Sequence, residues 1–396
     1  MSVGSIIRQL CLPCRRSVHR SRATAVEVVA EAIATGGHLS PNRIGRSLRS
    51  SAMPKHSIKR VDRLLSNPHL HGEWTEYYTA LAERVLRGVS RPVIAIDWSG
   101  TVKGLHTLAA AVPIDGRAVT IYAEVHPAAK YTNRRLQTRF LQTLGKVLGP
   151  QRRPIIVADA GFRAPFINDL KALGWDWVTR VRGGVCVQKT PRDPWLKCVD
   201  LYPTATRKAK DLGVRRFTRD RATAPTKPLH VRLVLSKKPK RKGPKRPMVA
   251  PVSGMKGSPV TAAREPWLLT TSLDWPPKKI VMLYALRMQI EETFRDCKSH
   301  RLGWCLRHLR SRCHKRMTTL LMLATVAMVA VTMLGIAAER TALHLQYQAN
   351  TSRRRVLSLF SLGRAVLTHG KHRLQSRDVF DYAHQHFLRA AVQAST

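Results

Sequence analysis

The sequence predicts an α/β chain built on a mixed sheet with helical regions at both ends, and three observations predict it. From residue 91 onward, short apolar runs alternate with amphipathic stretches of helical period. Two of those runs, VIAIDWS and PIIVADAGF, end in an acid, Asp97 and Asp159. Residues 1 to about 90, and those after 276, carry apolar positions at helical rather than strand spacing.

Taken in order, the first region reads as helices punctuated by turn residues. TAVEVVAEAIATG is a helix stopped by Gly36 and Gly37. HSIKRVDRLLSNPHLH, residues 56–71, is a basic amphipathic helix ended by Asn67-Pro68. Ile58, Val61, Leu64 and Leu65 would pack, leaving Lys59, Arg60 and Arg63 to contact phosphate or simply to be solvated.

The strand region opens with VIAIDWS. LHTLAAAVP and RAVTIYAEV follow, joined by Asp115-Gly116, a hairpin-turn pair. A helix over about 133–148, the strand ending in Asp159, a helix over about 163–173 and the strand DWVTRV complete the unit. Three antiparallel strands, helix, strand, helix, strand is the order of a ribonuclease-H-like mixed sheet, with Asp97 on its central first strand and Asp159 at the end of the adjacent fourth. Trp98, next to the first acid, is expected to pack under the sheet.

Residues 182–275 break the alternation and read as a β-rich insertion with short runs such as VRLVL and PWLLTTS. Within them KKPKRKGPKRP, residues 237–247, is a Pro-interrupted basic tract expected to be a mobile loop against phosphate. Beyond the insertion, TTLLMLATVAMVAVTMLGIAA (318–338) has no charged residue in 21. Its length suits a membrane span, but its four threonines and its place in the fold predict a buried core helix. The expected organisation is therefore 1–90 helical, 91–181 the first part of the mixed-sheet core, 182–275 the insertion, 276–345 the second part of that core, and 346–396 a helical tail.

The stretch YALRMQIEETFRDCK, residues 284–298, carries the densest chemistry. Tyr284, Arg287, Glu291 and Lys298 fall at i, i+3, i+7 and i+14, within about 60° of one another on a single helix. A carboxylate among two cations and a phenol suits metal binding beside a phosphate. It also suits a salt-bridged amphipathic helix in which Glu291 pairs with Arg287.

Charge narrows the partner. Lys and Arg number 69 against 24 Asp and Glu, a formal net charge of +45 in 396 residues. That imbalance calls for a polyanion, with nucleic acid the first candidate. Seven cysteines at irregular spacing, without a secretory signal at the N-terminus, read as reduced thiols of a cytoplasmic protein. The lone Cys11-x-x-Cys14 and the group Cys305, His308, Cys313 and His314 match no common zinc pattern. Asp97, Asp159 and Glu291, converging on such a sheet, could instead hold two Mg²⁺ about 4 Å apart for in-line displacement at phosphorus, with Mn²⁺ as a substitute.

With these blocks in hand, the chain resembles a known family. Tyr284, Arg287, Glu291 and Lys298 meet the YREK signature, Tyr-x2-Arg-x3-Glu-x6-Lys. Together with IAIDWS, IVADAGF, GWDWVTRVRG and EPWLL, this resembles the hairpin-forming DDE transposases of bacterial insertion sequences, and within them the transposon-ten group. The resemblance implies Asp97, Asp159 and Glu291 as a metal-binding triad, with Arg287, Lys298 and Tyr284 at phosphates beside the scissile bond. It implies Trp267 as a ring on which a flipped base stacks. It further implies cut-and-paste transposition through nicking, hairpin formation, reopening and joining to target DNA, at terminal inverted repeats within a synaptic homodimer. The implied setting is the bacterial cytoplasm, on the nucleoid and not at a membrane. Two other readings stay open, a non-catalytic basic nucleic-acid-binding protein and a metal-dependent nuclease that only cleaves.

Overall fold

A computed structural model describes residues 2–218, 228–237, 265–299, 304–306, 309, 311–370 and 374–395. Most of the basic tract 237–247 and His308 lie outside the described residues. The chain divides into two compact units. Unit 1 comprises Met1–Pro154 and Arg287–Thr396, and unit 2 comprises Ile155–Leu286. The divisions fall at 154/155 and 286/287.

Unit 1 opens with six helices: α1 (Val3–Cys11), α2 (Arg20–Gly36), α3 (Pro41–Arg46), α4 (Pro54–Leu65), α5 (Pro68–Gly72) and α6 (Trp74–Val85). Their ends follow the turn residues. Gly37 closes α2 in the left-handed region at φ 64°, where a side chain would be strained. Asn67 caps α5 by accepting from the backbone N–H groups of His69 and Leu70.

Three antiparallel strands follow in the order β3 (Arg117–Pro127), β2 (Leu105–Ile114), β1 (Val93–Gly100). Asp115 and Gly116 turn the β2–β3 hairpin at φ 47° and 83°, the two positive values a tight two-residue hairpin turn requires. Helix α7 (Arg134–Leu148) comes next, capped by Asn133.

Unit 2 holds β4 (Ile155–Ala158), α8 (Ala164–Ala172), β5 (Asp176–Val181), β6 (Cys186–Gln188), β7 (Leu196–Lys197), β8 (Lys210–Thr218), β9 (Leu229–Ser236), β10 (Trp267–Thr271) and α9 (Pro277–Ala285). Its strands lie in the order β4-β5-β10-β9-β8-β6-β7. β4 and β5 are parallel, the remaining pairs antiparallel. The β-rich segment is thus hydrogen-bonded into the same sheet as β4 and β5, through β10.

The chain returns to unit 1 with α10 (Met288–Lys298), α11 (His314–Arg340), α12 (Leu359–His369) and α13 (Ser376–Ser395). α11 is long and apolar enough to cross a membrane by length and composition, yet 89% of its most apolar stretch is buried in the protein. It packs on α2, α12, α13 and β3. Its threonines explain how polar groups sit in that core. Thr318 donates to the His314 carbonyl and accepts from the Val125 N–H, and Thr319 accepts from the Trp74 indole.

Candidate active site

Side chains alternate along β1, so Asp97 and Ser99 share one face while Trp98 turns to the other. Asp97 pairs in register with Ala109 of β2 and is 8% exposed. One carboxylate oxygen, Oδ1, accepts from the Trp98 N–H at 2.9 Å. The other, Oδ2, accepts from Arg287 Nη1 at 3.2 Å. Trp98 is buried, with its ring centre 6.0 Å from that of His126 and 5.6 Å from that of Tyr131.

Helix α10 supplies the remaining charges of this unit. Glu291 lies in its first turn and Lys298 in its last, the placement a helix dipole favours for each sign. Glu291 Oε1 accepts from Arg287 Nη2 at 2.6 Å. One guanidinium, only 10% exposed, therefore joins the carboxylate of a strand to that of a helix. Lys298 Nζ donates to Ser99 Oγ at 2.5 Å and lies over the Phe294 ring.

Two anchors fix the helix on the sheet. The Thr293 hydroxyl donates to the Ala118 carbonyl and accepts from the Ala118 N–H, both at 2.8 Å. Arg117 pairs with Asp296 at 2.6 Å. Burial pushes the Asp296 carboxyl up, against the pull of Arg117.

One expectation needs correction. Residues 284–298 are not a single helix, because α9 ends at Ala285 and α10 begins at Met288. At the break Leu286 N–H donates to Leu283 O and Ile290 N–H to Arg287 O, contacts of the tighter three-residue type. Tyr284 consequently belongs to α9 and unit 2, while Arg287, Glu291 and Lys298 belong to unit 1.

In unit 2, Asp159 directly follows β4, and its Oδ1 accepts from the Gly161 N–H at 2.8 Å. A Cβ at 161 would stand 3.0 Å from that oxygen, so glycine leaves the carboxylate room. Tyr284 (3% exposed) and Trp267 (5% exposed) meet edge to face, ring centres 4.9 Å apart. Both rings are thus core residues of unit 2 in this structure. Nearby, Glu265 pairs with Arg182 at 2.6 Å and with Arg180 at 3.4 Å.

Lys59, Arg60 and Arg63 all lie on the exposed face of α4. Burial pushes the Cys14 thiol up to about 12 and raises Cys11 well above its ordinary value. Neither is a ready thiolate ligand or nucleophile. Sequence reasoning missed Ser99 and Thr293. The two-residue period of a strand, which sets Ser99 beside Asp97, was a signal for the first.

Among the described residues no three His, Cys, Asp or Glu side chains are gathered on one point. What unit 1 does present is a pair of hard-oxygen ligands already sharing one cation. That donor set fits a divalent ion such as Mg²⁺, and the guanidinium occupies carboxylate oxygens that such an ion would use.

Residues 90–330 match the family described as transposase DDE domain. Among solved structures, the chain is similar to the cryo-EM structure of a piggyBac transposase synaptic complex with hairpin DNA. The identity is 12% and the TM-score 0.40, over 99% of this chain and 78% of that one. No curated protein matches the chain.

Proposed function

The chain belongs to the transposase DDE domain family and is a DDE transposase, and from that premise we propose that it moves an insertion sequence by cut-and-paste. The observation that carries the finer reading is the shared guanidinium, with Asp97 and Glu291 brought to one cation from two separate elements. In this proposal Asp97 and Glu291 are metal ligands, and Asp159 of unit 2 is the third carboxylate. Bound divalent ions, Mg²⁺ foremost, supply activation of a water or 3′-hydroxyl and neutralisation of the leaving oxygen.

The chain's own residues do the rest. Lys298 and Arg287 hold backbone phosphates, Arg287 through a planar fork that matches phosphate as well as carboxylate. Lys59, Arg60 and Arg63 add sequence-independent affinity along the DNA. The net charge of +45 supports DNA as the partner. Nicking at terminal inverted repeats, hairpin formation by the freed 3′-hydroxyl, reopening and joining to target DNA complete the proposed sequence, in a synaptic homodimer in the bacterial cytoplasm.

The test uses the DNA flanking the gene as labelled duplex ends with Mg²⁺, comparing the wild type with Glu291→Ala on a denaturing gel. A hairpin-sized product from the wild type that the variant fails to make is the expected result. Nicks without hairpin or joined product would reduce the activity to that of a nuclease. Tight binding with no cleavage by either protein would overturn the catalytic reading.

A further inference from the structure

Arg287 occupies an unusual place for a residue that is to grip DNA. Its two terminal nitrogens are spent on Asp97 Oδ2 at 3.2 Å and Glu291 Oε1 at 2.6 Å. The remaining Asp97 oxygen accepts a backbone N–H. The guanidinium and Asp97 are both buried, whereas Glu291 is 40% exposed, so the pair can be reached from solvent on the glutamate side.

Burial makes the arrangement an exclusive one. A desolvated cation between two carboxylates interacts far more strongly than a surface pair does. A divalent ion seeking the same two oxygens must displace that guanidinium or accept a like charge a few ångströms away.

We propose that Arg287 is a resident counter-ion that competes with divalent cations for Asp97 and Glu291, holding the site closed to them in the DNA-free chain. This rests on the reading of these two carboxylates as metal ligands. A DNA phosphate that draws the guanidinium to itself opens the carboxylates. By linkage, cation and DNA then each strengthen the other's binding. Metal uptake becomes coupled to substrate, and the free protein is kept from loading metal without DNA.

The test measures Mn²⁺ uptake by the full chain without DNA, from the free-ion electron paramagnetic resonance signal. Arg287→Gln should bind Mn²⁺ about tenfold or more tightly than the wild type, a gain of ~1.4 kcal/mol. Its melting temperature should rise further on adding Mn²⁺ than that of the wild type. If Arg287→Gln does not fold, Arg287→Lys serves, because it keeps one charge but lacks the fork that spans both carboxylates, and it should shift in the same direction by less. Equal Mn²⁺ affinity in the wild type and the arginine variants, with Glu291→Gln weakening all of them, would overturn the counter-ion role and leave the metal site standing. Uptake indifferent to both Asp97→Asn and Glu291→Gln would sink the metal reading itself.

Discussion

Lys298 Nζ donates to Ser99 Oγ at 2.5 Å, tying the last turn of α10 to the strand that carries Asp97. Ser99 is then a positioning residue, since its hydroxyl sets where the ammonium stands. Burial, with the charge of the same Lys298 ammonium adding to it, holds the His106 imidazole below its ordinary range.

Removing that hydroxyl should loosen the lysine while sparing the fold. For Ser99→Ala the expected single-turnover cleavage rate falls on the order of tenfold, the scale of one hydrogen bond to a charged group. The melting temperature should barely move, and Ser99→Thr should restore most of the rate. A structural role alone would show the reverse pattern, with lost stability and an unchanged rate. Single-turnover assays beside thermal melts separate the two.

A second prediction concerns the core. Gly335 of α11 and Gly363 of α12 face each other where the two helix backbones touch. A Cβ at 335 would run into the Leu359 carbonyl oxygen, and one at 363 into that of Val331. Helix propensity alone predicts that Gly→Ala stabilises an exposed helix by roughly 1 kcal/mol. Here the clash is with backbone, which cannot step aside as a side chain can, so Gly335→Ala should destabilise by about 3 kcal/mol or more. Gly363→Ala should behave alike, and the double variant should lose less than the sum because both open the same crossing. Gly72→Ala in α5, with nothing within 4 Å of its Cβ, is the control and should show no such loss. Urea denaturation of the wild type and the four variants decides it.

What the sequence could and could not disclose divides along range. Local features were legible. Gly36-Gly37 and Asn67-Pro68 mark helix ends, Asp115-Gly116 turns a hairpin, and the two-residue period puts Asp97 on a buried strand face. The threonines of α11 announced a helix with hydrogen bonds to give inside a protein core. The break at Leu286–Arg287 was invisible, because Ala-Leu-Arg-Met is a run of good helix formers with no glycine or proline to mark a stop. The ion pairs of Arg287 there reach Asp97, 190 residues away along the chain. Strand β10 pairing with β5 is likewise a long-range match that no local pattern encodes. Nor could composition tell that Trp267 and Tyr284 bury themselves against each other.

The last prediction concerns acid stability and turns on Glu124, a carboxylate on β3 that is only 9% exposed. Burial by itself would push this group up. The His126 imidazole 2.8 Å away, the hydrogen bond from Tyr122 and the charge of Arg139 outweigh burial and leave it below the ordinary value of 4.5. A carboxyl with a folded value below its unfolded one favours the fold in its ionised form. Its contribution is therefore complete above about pH 4.5 and is lost as pH falls through the lower, folded value. Glu124→Gln should lower stability at pH 7, because it replaces a paired carboxylate in a buried network. It should also flatten the fall of unfolding free energy below pH 4.5, since the group that must take up a proton is gone. Urea midpoints of the two proteins between pH 7 and pH 3 check the sign. Curves that stay parallel throughout would mean that Glu124 carries no share of the acid limb.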